Sequence, residues 1–145
     1  YGDSANNRVS AYMFNLDRML QFEGNTAAFL DYAYVRIQSI KRKINLDPTQ
    51  LVLTEQIKLQ TPEEIDLGLQ VLQFPSVIAN FSKELLPNRL TDYLYNLAEK
   101  FHTFFHNCRV EGVAEQNSRL LLCEAVSRVL AQGLELLGLK LLQRM

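Results

Sequence analysis

The sequence predicts an all-α protein, a bundle of about five or six helices. Three observations lead there. Apolar residues recur at i, i+3/i+4 and i+7 through the long segments, which is helical spacing. Several of those segments are preceded by a capping residue followed by proline. The 145 residues are 48% hydrophobic with six Gly and four Pro, enough for one domain with one core.

Residues 1–24 are the least regular stretch, and read as a connector, a short strand or turn leading into a helical turn. The first long helix starts after "GNT", where Asn25 or Thr26 can cap free backbone donors. Its apolar face is Phe29, Leu30, Ala33, Tyr34, Ile37 and Ile40. "NLDPTQ" breaks that helix, and Asp47-Pro48 opens a short one reaching about Ile57. "TPEE" starts the next, with Thr61 as cap, Pro62 after it and Glu64 three residues on. Pro75 restarts the chain for a helix to Leu86, and Asn88 is expected to cap a strongly amphipathic helix over residues 88–110. After the polar loop "EGVAEQNS", a helix over residues 117–137 is apolar around much of its circumference, which suits a central position. Gly133 and Ala125 would let neighbours approach it, and Gly138 ends it.

Composition limits the function. Fifteen Lys and Arg face sixteen Asp and Glu, so any nucleic-acid surface must be local. No run of about eighteen apolar residues exists to span a membrane. The N-terminal stretch lacks the basic and apolar regions of a signal peptide, and without an initiator Met the chain is expected to be a fragment or a processed product. Cys108 and Cys123 read as buried thiols in a reducing, cytoplasmic setting. His102 and His106 have the i, i+4 spacing of metal ligands but no third partner, so no metal is expected. Glu63 and Glu64 are helix-start acids. Phosphate-cradling glycine loops and nucleophile elbows are lacking and no Cys-His pair has a reason to meet, so no catalytic residue is expected in this chain.

Two edges carry the chemistry of RNA binding. On the first helix, Tyr32, Arg36, Ser39 and Lys43 form a stripe apart from the apolar face. A ring one turn before a guanidinium, then a hydroxyl and an ammonium, suits single-stranded RNA: stacking, base-edge contact and phosphate neutralisation. On residues 88–110, His102, Phe105 and Arg109 flank the apolar stripe, with Phe105 and Arg109 expected one turn apart. On pattern alone the plainer reading holds at both edges: Tyr32 and Phe105 border the core, and the cations are solvated.

The blocks "FEGNTAAFLDYAYVRIQSI", "LPNRLTDYLYNLAEKFHTFFHNCRV" and "SRLLLCEAVSRVLAQGLELLGLKLLQRM" change that balance. Together they resemble the C-terminal, DALR-type anticodon-binding region of arginyl-tRNA synthetase, a class I enzyme. The resemblance covers nearly the whole chain, with residues 44–82 carrying little of it. It implies a tRNA-reading bundle over residues 25–145, preceded by a connector, 1–24, from an upstream catalytic domain. That domain would join arginine to its tRNA with ATP and Mg, while this fragment would hold no cofactor and be inactive alone. The "YAxxR" element of the family matches Tyr32 and Arg36. Phe105 stands where most members carry Tyr, and Arg109 where some carry an aromatic. Met145 matches the family's terminal Met. With these implied contacts, Ser39, Lys41, Arg42 and Lys43 become candidates for the tRNA backbone. The implied partners are the anticodon loop of an arginine tRNA and the chain's own catalytic domain, in a monomer away from membranes. A helical protein-interaction module without RNA binding stays open as the rival, and a related synthetase such as the cysteinyl enzyme is a third reading.

Overall fold

The structure, a computed structural model, describes residues 1–7, 9, 11, 24–45 and 47–142. Most of the expected connector, and Met145, lie outside the described residues. Six helices form within them: α1 (Ala27–Ile44), α2 (Pro48–Leu51), α3 (Pro62–Leu72), α4 (Phe74–Glu84), α5 (Pro87–Asn107) and α6 (Gln116–Leu136).

The boundaries follow backbone donors and acceptors. The Thr26 hydroxyl accepts from the Phe29 N–H at 3.3 Å and starts α1. Asn45, in the left-handed region at φ 53°, ends it. Thr61 and Glu64 form the full capping box at α3: each side chain takes a backbone N–H of the other. At the end of α6, the N–H groups of Gly138 and Leu139 donate to the carbonyls of Glu135 and Leu134, both at 2.9 Å, with Gly138 at φ 75°. This is a Schellman closure, and the positive φ favours glycine there.

Three expected boundaries differ. α2 stops at Leu51 rather than near Ile57, because Val52 and Leu53 face solvent and a further turn would have no apolar face to bury. Asn88 does not cap α5: Leu86 is the N-cap and Pro87 the first helical residue, its fixed φ suited to that position. α5 ends at Asn107, and Cys108 is already extended, at φ −115° and ψ 108°.

α5 and α6 share the centre. α5 packs on α1, α3, α4 and α6, while α6 also packs on α1, α2 and α3. Leu94, Leu97, Phe101 and Phe104 from α5 meet Leu120, Val126, Leu130 and Leu134 from α6 in one core. Gly133 permits the closest approach: a Cβ there would lie 2.5 Å from Leu94 Cδ2. Cys108 and Cys123 are free and buried. Burial pushes the Cys123 thiol up to about 12. Among the described residues, no helix is long and apolar enough to cross a membrane.

Buried charge pins the helices together. Glu64, in the first turn of α3, accepts from Arg119 Nε at 2.6 Å and from the N–H groups of Gln60 and Thr61 at 2.7 and 3.0 Å. Burial raises its pKa, but those donors and the guanidinium outweigh burial and hold the carboxyl below its usual range. On α6, Glu124 binds Lys41 of α1 at 2.7 Å and Arg128 at 2.8 Å.

Candidate nucleic-acid interface

α1 and α5 run side by side in the same direction. Asn25 meets Asp92, Phe29 meets Tyr95, Tyr32 meets His102 and Arg36 meets Phe105, rising together along both helices. The apolar face of α1 turns Leu30, Ala33, Tyr34 and Ile37 into the core. The helical period then leaves Tyr32, Arg36, Ser39 and Lys43 on the outer flank, beside α5. Tyr32 is 44% exposed, so its ring is open to solvent and not sealed at the core edge.

The side chains on this flank form a stack. The Arg36 guanidinium lies over the Phe105 ring, 4.2 Å from its centroid. It also lies 5.5 Å from the Tyr32 centroid, and its Nη1 donates to the Tyr32 hydroxyl. Both distances are within cation–π range. No carboxylate of the described residues pairs with Arg36. Behind Tyr32 stands His102, stacked at 5.5 Å with 24° between planes. An open groove of about 600 Å³, lined by Phe29, Tyr32, Glu99, His102 and Thr103, continues along the stack.

The structure thus brings Tyr32, Arg36 and Phe105 together, from two helices, on one surface. One face of the Phe105 ring is taken by Arg36. The ring already carries the Arg36 guanidinium, fixing the fork and leaving its remaining N–H donors for a ligand. Arg109 is not one turn above Phe105, because the helix has ended. Its carbonyl accepts from Arg119 Nη1 at 2.7 Å, and its exposed side chain reaches to within 3.8 Å of where a Gly112 Cβ would stand.

The cations of the last turn of α1 divide. Lys41 is held by Glu124, with side chains only 23% and 12% exposed, so its charge serves the fold. Lys43 pairs with Glu111 at 3.2 Å on the surface, a contact that costs little to exchange for a phosphate. Arg42 and Ser39 are exposed. Asp31, the neighbour of Tyr32, keeps a buried Oδ1 without a hydrogen-bond partner. Burial raises the Asp31 pKa, and the nearby Leu142 backbone offsets this only in part. His106 is exposed and hydrogen-bonds Asn107.

The sequence profile of the DALR anticodon binding domain matches residues 30–145. The chain belongs to this family. This DALR domain is 54% identical over 145 residues to the arginine–tRNA ligase of Protochlamydia amoebophila, covering all of this chain and 25% of that protein. The Chlamydia felis ligase is 50% identical with the same coverage. The DALR domain therefore spans about a quarter of the length of the curated relatives it matches. The arginyl-tRNA synthetase of Plasmodium falciparum superposes with a TM-score of 0.85 at 36% identity, over 99% of this chain and 25% of that one. The Thermus thermophilus enzyme gives 0.73 at 31% identity, over 87% and 22%.

The stacking of His102 on Tyr32 and the seating of Arg36 on Phe105 escaped sequence reasoning. The His102/Phe105/Arg109 flank was legible, but the partner helix and its register were not.

Proposed function

We propose that this chain is the anticodon-reading domain of an arginyl-tRNA synthetase, and that arginine activation with ATP and Mg belongs to a catalytic domain of the longer protein. The observation that carries this reading is the Tyr32–Arg36–Phe105 cluster on an open flank of a DALR domain. Tyr32 offers a stacking face, and Arg36 presents a fixed fork to the edge of an unpaired base. Lys43, Arg42 and Ser39 sit one to two turns further on, where the backbone phosphates of the same loop would pass. Lys41 contributes to that field from within its ion pair. Arg109 lies beyond the helix end, a second cation for the loop. Met145, which matches the terminal Met of the family, is assigned to the same loop. The residues before α1 serve as the connector to the catalytic domain, and the enzyme works as a cytosolic monomer.

A second reading draws on Ile65, Leu69 and Leu72, an outward apolar stripe on α3, as a protein-docking face. The two part in one titration. An arginine-tRNA anticodon stem-loop should bind the 145-residue chain more weakly as salt rises, and Tyr32→Ala should weaken it by about 1–3 kcal/mol. A folded chain that binds no stem-loop at low salt defeats the RNA reading.

A further inference from the structure

His102 has no part in the reading above, yet its placement is unusual. Its Nε2 is sealed from solvent and has no hydrogen-bond partner. Phe29, Phe101 and Tyr32 surround the ring, with centroids 4.9, 5.9 and 5.5 Å away. A buried N–H at Nε2 would be unsatisfied, so the neutral ring keeps its proton on Nδ1.

We propose that neutral His102 is a positioning residue for RNA binding, the fixed backing against which Tyr32 presents its outer face, and that acid releases this stack. The inference rests on the RNA reading. The groups that face the imidazole set the sign. From α1 come the Tyr32 hydroxyphenyl and the Arg36 guanidinium. From α5 comes Glu99, whose carboxylate already accepts from the Tyr95 hydroxyl at 2.8 Å. Burial and then Arg36 lower the His102 pKa, and Glu99 opposes them without prevailing. A proton on Nε2 would find no acceptor and a cation nearby. Protonation is relieved only if the ring leaves its slot, and Tyr32 then loses its support.

The sign is opposite to the simple ionic expectation. Acid adds positive charge to a protein and ordinarily tightens its hold on RNA. Here stem-loop affinity should fall about three- to tenfold as the pH drops from about 7.5 through the imidazole midpoint that NMR locates, the scale of one weakened stack. His102→Phe keeps a ring in the slot and removes the titration. Whatever its affinity near pH 7.5, that affinity should not weaken with acid. Wild-type affinity that holds or rises on acidification overturns the proposal, as does an equal fall in His102→Phe. A second measurement needs no RNA. Proton NMR of the free chain should lose the His102–Tyr32 ring contacts as the imidazole titrates, with a midpoint below about 6.5. Contacts that persist through the titration also overturn it. Failure of the RNA reading would look different: no stem-loop binding at any pH, with the NMR titration unaffected.

Discussion

The contact between Arg36 and Phe105 can be tested as a unit. In the structure the ring holds the guanidinium plane at 4.2 Å, and the fork holds the Tyr32 hydroxyl. Arg36→Lys keeps the charge and removes the planar fork. If Arg36 serves only as a phosphate cation, that change is nearly silent. If the fork reads a base edge, it costs about 1–3 kcal/mol, roughly 5- to 150-fold in affinity. The salt dependence then separates charge from geometry. Arg36→Lys should leave the slope unchanged, whereas Arg36→Ala should reduce it by about 0.7. Phe105→Leu keeps apolar bulk and removes the π face, at about 0.5–2 kcal/mol. Because the ring acts through the guanidinium, the Arg36→Lys/Phe105→Leu double change should cost little more than Arg36→Lys alone. The coupling should then be about 0.5–2 kcal/mol. Fluorescence anisotropy with a labelled anticodon stem-loop, over a salt series, reads all four corners. Additive costs, or full affinity in Arg36→Lys, would refute the seated-fork arrangement.

Two glycines with similar close contacts should respond in opposite ways. At Gly133→Ala the new Cβ meets Leu94 Cδ2 at 2.5 Å, and Leu94 is fully buried with nowhere to turn. Overpacking there should exceed the helix-propensity gain and destabilise by about 1–2 kcal/mol in urea unfolding. At Gly68→Ala the obstacle is Leu59 Cδ1 at 2.7 Å, on a side chain 38% exposed that can swing aside. That change should be neutral or stabilising by up to about 1 kcal/mol in the same assay. Arg119→Met strips the partner from Glu64, whose side chain is 2% exposed, and should cost about 3–5 kcal/mol. The folded Glu64 carboxyl titrates below its unfolded value. Its stability is therefore present above the ordinary carboxylate range and lost as pH falls through the folded value. Glu64→Gln should flatten the acid limb of stability against pH, and an unchanged limb would count against the role given to Glu64.

Much of the architecture can be read along the chain, because caps and periodicity act over three or four residues. The Thr61/Glu64 box, the Asp47-Pro48 start and the Gly138 closure all stand where local chemistry puts them. So does the buried face of α1. Asn88 and the end of α2 stand elsewhere. In one case Pro87 suits the first helical position, and in the other no neighbour covers the next turn.

The same division runs through the functional surface. The four-residue step from Tyr32 to Arg36 on a helix already puts an aromatic and a guanidinium side by side. The sequence by itself therefore determined the helices, their inward faces and that pair. Only the tertiary structure decided what stands against the pair: Phe105 under Arg36, His102 behind Tyr32, and Glu124 drawing Lys41 into the fold. Those contacts join residues 69, 70 and 83 positions apart in sequence. Their register is set by the core between helices, which no short-range pattern records.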